Sequence, residues 1–491
     1  MATGSGIKIL LSSLRIENCY LHSNKLPKLF RKTDYGVFHT SNIHTSTLLT
    51  AQPRLTPQEV TDILRLNEYS HEFSTTGSVR SYDSNQLPSN DPIEDTRSEA
   101  RCLLTEGMLL GVFDGHGGAA CAQVIAKRLF NYITVSLLPP DLLYKYLQSM
   151  DNSSGMQQLE SFNGKYEFVE ELKGIYHESL KKFVVELSKT DRSDFQMKEA
   201  LERAFLRLDE DISKEALSTV EEKVGVKTMS VSMSGAVACV AHVDGPHLHL
   251  ANVGDCQAVL GVLSDTDTWT AKKLSVEHNT DNPAEVQRIL NEHPANERDS
   301  VIRLERLLGQ LAPLRAFGDF RYKWSKQIMT EVVVPRYGEQ MMAPHYHTPP
   351  YLTAQPEIVH HRLTPRDRFL VIASDGLWDL VSPLQVVRLV GEHMSGKVTL
   401  SPLRLPRKDM TLDEINSLLL QRRKGLAKKP VDRNAATHLL RHALGGTEYG
   451  IEHSKISQLL SLPQEVVRLF RDDITITVIY FDPEYLRHCP L

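Results

Sequence analysis

GAVACVAHVDGPHLHLANVGDCQAVLGVL, residues 235–263, is the stretch on which the fold class turns. Three apolar runs follow one another, separated only by Asp244-Gly245 and Gly254-Asp255, the residue types that tight turns favour. The stretch therefore reads as an antiparallel meander of three strands.

Working outward, LLGVF (109–113), RFLVIASDG (368–376) and ITITVIYF (474–481) are further apolar strands. CAQVIAKRLFNYITVSLL (121–138) has a helical period and stops at Pro139 and Pro140. QMKEALERAFLRLDEDISKEAL (196–217) is an amphipathic helix, and further helices are expected over 383–394, 411–424, 434–444 and 455–470. At LTPQEV, Thr56 can cap a helix, Pro57 suits its first position and Glu59 can close a capping box. Residues 71–92 are polar and rich in turn formers, so 51–92 reads as a helix and connector. The main domain is then 93–482, with inserts near 141–225 and 395–433 and a tail at 483–491. Strands in adjacent hairpins, with helices outside, give the α+β class rather than a doubly wound α/β fold.

The chain has 491 residues, a formal net charge of -5 and no basic stripe interleaved with aromatics, which argues against nucleic-acid binding. Its six cysteines are scattered without a CxxC pair, so neither a disulfide framework nor structural zinc is indicated. No apolar run approaches the roughly 20 residues that span a bilayer, so no transmembrane segment is expected. The first 50 residues are different. Ile7, Leu10, Leu11 and Leu14 fall on one helical face, Lys8, Ser12 and Arg15 on another, and Glu17 is the sole acid before Asp34. That is the composition of a mitochondrial transit peptide, with a disordered or membrane-surface N-terminal arm as the alternative.

Four acids lie at the end or edge of apolar strands: Glu94 in PIED, Asp114 in VFDGHGG, Asp375 in IASDGLWD and Asp472 in RDDITITV. Carboxylates at buried strand ends are costly unless paired or metal-bound, and these segments offer little basic charge beyond Arg471. Mg²⁺ or Mn²⁺ would resolve that cost through oxygen ligands, and glycine beside an acid, as at Gly115, lets a backbone carbonyl join them. Alternation puts Glu94 and Asp95 on opposite faces, so only one can ligate directly. Two such ions about 3.5–4 Å apart form a clamp for in-line attack on phosphorus. The departing oxygen then needs a proton, and His116 beside Asp114 is the candidate general acid.

In order, PIED, VFDGHGG, SGAVA, ANVGDCQ, LSVEH, RAFGDF, ASDGLWD and RDDIT resemble the motifs of the metal-dependent serine/threonine protein phosphatases, the PPM family. The resemblance covers about residues 80–482. It implies a sandwich of two antiparallel sheets flanked by helices on both sides. It also implies that Asp114 bridges two metals, with Glu94 and the Gly115 carbonyl on one side and Asp375 and Asp472 on the other. Asp95 would stand behind the ligands, and Asp255 would join Asp375 at a third, weaker metal.

DSNQLPSNDPIED (83–95), RAFGDFRYKWS (315–325), PHYHTPPYLTAQPE (344–357) and NAATHLLRHALG (434–445) are similar to the branch of that family that acts on the pyruvate dehydrogenase complex. This implies phosphoserine on the E1 alpha subunit as substrate, docking on the E2 lipoyl domain, a regulatory subunit and a mitochondrial matrix location. A phosphatase of other substrate range and a non-catalytic phosphoprotein binder are the alternatives, and the intact acid set argues against the second.

The sequence also departs from the family pattern. Asn90 stands where many members carry a phosphate-binding arginine, so phosphate recognition must lean on Asn90, metals and water, or on an arginine from elsewhere such as Arg315. Cys256-Gln257 replaces Ser-Arg, Asp473 replaces Asn and Val237 replaces Thr. His247 and His249 read as a half-exposed sheet face, His360 and His361 point to opposite faces, Trp378 reads as core, and Cys256 has no adjacent base.

Overall fold

The expected three-stranded meander is divided between two sheets. Gly235–Asp244 and His247–Val253 pair with each other, but Gln257–Leu263 pairs instead with Asp367–Ala373 and Trp269–Lys273. The switch occurs at Gly254, whose φ is +93° and where a Cβ would lie 2.1 Å from the Val237 side chain. Only glycine allows both the backbone conformation and the close approach. The turn was legible in the sequence, but its destination was not. The computed structural model describes residues 55–489, apart from 151–154, 163–169, 191–193, 219–221 and 408. The transit-peptide reading of 1–50 lies outside the described residues.

One sheet runs, in spatial order, Tyr69–Glu72, Val79–Leu87, Ile474–Phe481, Asp367–Ala373, Gln257–Leu263 and Trp269–Lys273. The other runs Glu357–Arg362, His247–Val253, Gly235–Asp244, Met108–His116, Thr96–Cys102 and Leu159–Ser161, with Phe317–Gly318 also paired to Gly235–Asp244. All pairings are antiparallel, as the α+β reading requires.

The central strands are buried on both faces, which explains their unbroken apolar runs. Helices Ala120–Leu137 and Met197–Ser218 cover the seven-stranded sheet, and Pro383–Met394 and Ala435–Gly445 cover the six-stranded one. Ile474, Ile476 and Val478 point into the layer beneath those last helices and are fully buried. Each such side chain contributes about 1.5–3 kcal/mol by leaving water.

Local chemistry sets several boundaries. Thr56 and Glu59 form the expected capping box of Pro57–Arg65, and Asn434 caps Ala435–Gly445 by accepting from Thr437 N. The helix expected over 455–470 is two pieces, His453–Leu460 and Gln464–Val467, because Pro463 cannot supply the N–H that a continuous helix needs. The chain then turns through 468–471 into Asp472.

The connector expected over 71–92 is corrected by a hairpin, Tyr69–Glu72 with Val79–Leu87, whose second strand lies inside the six-stranded sheet. Its alternation was hidden because Asp83 and Asn85, on the face towards the helices, are polar and hydrogen-bonded there. Asn85 donates to Leu64 O at 2.7 Å and to Thr437 Oγ1 at 2.8 Å, and Asp83 accepts from Ala435 N at 2.9 Å. The sheet therefore begins before Ile93.

Candidate active site

The acids singled out by sequence meet at one end of the sandwich. Asp114 lies near the end of strand Met108–His116, opposite Val237, and Asp255 lies on the turn that leaves His247–Val253. Asp375 follows Asp367–Ala373, and Asp472 precedes Ile474–Phe481, the strand paired with it. Glu94 and Asp95 precede Thr96–Cys102, which pairs with the Asp114 strand.

Their electrostatics record the crowding. Burial pushes the Asp114 carboxyl well above the usual carboxylate range, and Asp95, Asp375, Asp472 and Asp255 push it further. Burial, then Asp255 and Asp472, do the same to Asp375. Asp255 is pushed up to about 6, chiefly by burial. Burial also raises Asp472, against the opposing charge of Arg468. Asp95 is raised by burial and then by Asp473, while a hydrogen bond from Ser374 Oγ at 2.8 Å opposes the rise. Half-buried Asp114, Asp255, Asp375 and Asp472 beside buried Asp95 and Asp473, with Arg468 and Arg471 as the nearby cations, form an oxygen-donor set that a divalent cation would neutralise. As the side chains stand, no group of three or more His, Cys, Asp or Glu among the described residues forms a ready metal cluster. The fit to a cation thus rests on donor chemistry and charge.

Close packing fixes the surrounding backbone. At Gly115 a Cβ would come within 2.4 Å of Glu94 O, and at Gly376 within 2.0 Å of Asp473 O. Glycine is required at both contacts because the strand end and the neighbouring loop touch through their main chains.

Asp473 organises the other wall. Its Oδ1 accepts from Ser89 N at 2.5 Å and Asn90 N at 2.9 Å; its Oδ2 accepts from Glu94 N at 2.8 Å and Asn90 Nδ2 at 2.9 Å. The departure from Asn to Asp at this position thus anchors residues 89–94 while adding negative charge beside Asp95 and Asp472. Glu94 Oε1 accepts from Gly118 N at 2.7 Å, and Glu94 Oε2 accepts from Arg468 Nη1 at 2.8 Å.

His116 has a partner that the sequence reading did not assign. Its Nε2 lies 2.5 Å from Oδ2 of the fully buried Asp319. Burial opposes imidazolium formation, but the Asp319 charge and hydrogen bond outweigh it and raise the His116 pKa. Asp319 sits in the quoted RAFGDF motif with φ at 51°, a conformation whose strain the Asp319 N to Ser234 O bond at 3.0 Å helps to hold.

Arg315 is committed away from this site: its Nε and Nη2 donate to Glu285 at 2.7 and 2.8 Å. The basic residues beside Asn90 are Arg468, which donates to Asn90 Oδ1 at 2.7 Å, and Arg471, which donates to Ser89 Oγ at 2.6 Å. Only Arg471 was conspicuous in sequence, from its position next to Asp472. Trp378 is core, donating to Ala373 O at 2.9 Å. Cys256 is fully buried, which with the nearby Asp114 pushes its thiol well above its ordinary range. His247 and His360 face one another, with Nδ1 and Nε2 3.0 Å apart, while His361 turns towards Asp367.

Residues 147–411 match the family model for protein phosphatase 2C. The chain belongs to the protein phosphatase 2C family. This phosphatase 2C chain is 44% identical over 448 residues to the rat protein named mitochondrial [pyruvate dehydrogenase [acetyl-transferring]]-phosphatase 1, with 87% of this chain and 83% of that one covered. It is 41% identical over 447 residues to human [pyruvate dehydrogenase [acetyl-transferring]]-phosphatase 2, covering 88% and 84%. A protein phosphatase 2C homologue of Schizosaccharomyces pombe is 33% identical over 437 residues, covering 86% and 85%. The protein is accordingly a phosphoprotein phosphatase, and enzymes of the phosphatase 2C family depend on Mg²⁺ or Mn²⁺. The family match includes Asp255, Asp319 and Asp375, while Glu94, Asp114 and Asp472 lie outside its limits and are joined to them by the fold.

Proposed function

We propose that this phosphatase removes phosphate from serine of the pyruvate dehydrogenase E1 alpha subunit in the mitochondrial matrix, thereby activating the complex. The observation that carries the reading is the meeting of half-buried Asp114, Asp375 and Asp472 at one sheet end of a phosphatase 2C chain. The names of its relatives support the choice of substrate and organelle. Asp114, Glu94 and the Gly115 carbonyl, together with Asp375 and Asp472, would hold two cations, with Asp114 shared between them. Asp255 with Asp375 offers a third, weaker position.

When bound, Mg²⁺ or Mn²⁺ would supply Lewis acidity towards the phosphoryl group and activate the attacking water. The chain's own residues do the rest. Asp95, held by Ser374, and Asp473, holding residues 89–94, fix the wall that carries Glu94 and Asn90. His116 keeps a proton because Asp319 stabilises its imidazolium, and it delivers that proton to the departing serine oxygen. Asn90 turns its amide N–H to Asp473 and its carbonyl oxygen to Arg468.

Docking on the E2 lipoyl domain and pairing with a regulatory subunit belong to the same reading, as does import through residues 1–50. Purified protein should release phosphate from phosphorylated E1 only with Mg²⁺ or Mn²⁺, and faster when the E2 lipoyl domain is present. Metal-dependent turnover of other phosphoproteins but not of E1 would reassign the substrate, and no turnover of any would overturn the enzyme reading. A fluorescent fusion lacking residues 1–50 should fail to enter mitochondria.

A further inference from the structure

Hydrolysis of a phosphoserine requires positive donors for a phosphoryl group carrying nearly two negative charges, and the walls built around Asp114 are acidic. Arginine suits that task because its planar fork can meet two phosphate oxygens at once. The break at Pro463 turns the chain so that the segment Arg468-Leu469-Phe470-Arg471 lies against residues 89–94. Arg468 Nη1 bridges Asn90 Oδ1 at 2.7 Å and Glu94 Oε2 at 2.8 Å, and its side chain remains 34% exposed. Arg471 donates to Ser89 Oγ at 2.6 Å, yet its buried Nε has no acceptor. Leu469 and Phe470, between them, are about half exposed.

We propose that Arg468 is the phosphoryl-binding cation of this enzyme, with Arg471 behind it and Leu469 and Phe470 offering an apolar seat for the peptide that flanks the phosphoserine. The proposal rests on the phosphatase reading given above. Arg468 shares Glu94 Oε2 with the cation that carboxylate would hold, and such an ion would itself answer the Glu94 charge. The guanidinium would then serve the phosphoryl oxygens, beside the Asn90 carbonyl that orients it. One side chain would thus exchange a carboxylate partner for a phosphoryl partner as the site is loaded.

The test uses the full chain with saturating Mn²⁺, phosphorylated E1 as substrate, and inorganic phosphate as the bound probe. Arg468→Ala should raise KM and weaken phosphate binding in calorimetry, each by tenfold or more, with a smaller change in kcat. Arg468→Lys should recover part of both, and Asn90→Arg in the Arg468→Ala background should restore phosphate binding from the other side. Unchanged phosphate affinity in Arg468→Ala, with wild-type melting temperature and intact turnover, would overturn the assignment. Absence of turnover in the wild-type chain would instead overturn the reading on which it rests.

Discussion

Asp319 Oδ2 and His116 Nε2 stand 2.5 Å apart across a gap that only Gly235 leaves open, since a Cβ there would lie 2.1 Å from that nitrogen and 2.2 Å from that oxygen. Asp319 stabilises the imidazolium, so Asp319→Asn lowers the His116 pKa. A general acid is lost as pH rises through its pKa, so the alkaline limb of kcat should move to lower pH in that variant. We expect kcat to fall about tenfold or more, and Gly235→Ala to lose most activity. An unshifted pH profile in Asp319→Asn would separate Asp319 from the proton transfer.

Neutralising Asp114 should have opposite effects on turnover and on the stability of the metal-free protein. Its carboxyl is raised by burial and by neighbouring acids, a contribution favourable at low pH and lost as pH rises through the folded pKa. Asp114→Asn should abolish activity yet raise the metal-free melting temperature by about 1 °C for each kcal/mol of repulsion removed, the scale that an unfolding entropy of about 2.1 cal/mol/K per residue sets for a chain of this length. Mg²⁺ should stabilise this variant less than wild type, as scanning calorimetry in chelator and in metal would reveal.

Removing Asp473 should unfasten a wall. Four donors converge on its carboxylate, three of them main-chain N–H groups. Asp473→Ala should cost about 3 kcal/mol, the order expected when buried donors lose a charged acceptor. Urea denaturation measures this, and proteolysis within 88–94 should accelerate.

Far from the acids, Arg128 and Glu215 form a buried two-pronged pair at 2.8 and 2.7 Å, with the guanidinium 4.0 Å from the Tyr176 ring centre. Glu215→Ala leaves a buried cation without its carboxylate and should cost about 3–5 kcal/mol. Replacing both partners by apolar residues should cost much less, which a double-mutant cycle would measure.

Acid should destabilise the helices over the six-stranded sheet. Burial holds the His438 pKa down to about 2 and the His442 pKa to about 4, aided by neighbouring His393 and Arg441. Below the ordinary value of about 6.5 the unfolded chain takes up protons that these folded imidazoles refuse, so stability falls as pH drops. At pH 5 each contributes a loss of about 2 kcal/mol. His438→Leu should flatten the dependence of melting temperature on pH between 7 and 5.

The acids were legible because each interrupts an apolar strand, and Gly beside Asp marked where backbone crowds the site. The strand Val79–Leu87 was not, because Asp83 and Asn85 direct polar groups to helix ends rather than apolar groups to a core. The departure of Gln257–Leu263 to the other sheet was hidden for a different reason: alternation fixes which residues share a face but not which strand lies alongside. Arg468 gave no signal, since its relation to Asn90 spans almost the whole chain and depends on a turn after Pro463.

The strand Ile474–Phe481 is the last of the described strands to be synthesised, yet it lies in the interior of its sheet, between Val79–Leu87 and Asp367–Ala373. Asp472 and Asp473 enter with it. A polypeptide still on the ribosome, or one cut short before this strand, therefore lacks a sheet interior and the second wall of its catalytic end together. On the proposed site, chemical competence would come only with the closing strand, and a chain cut short before it should show no turnover.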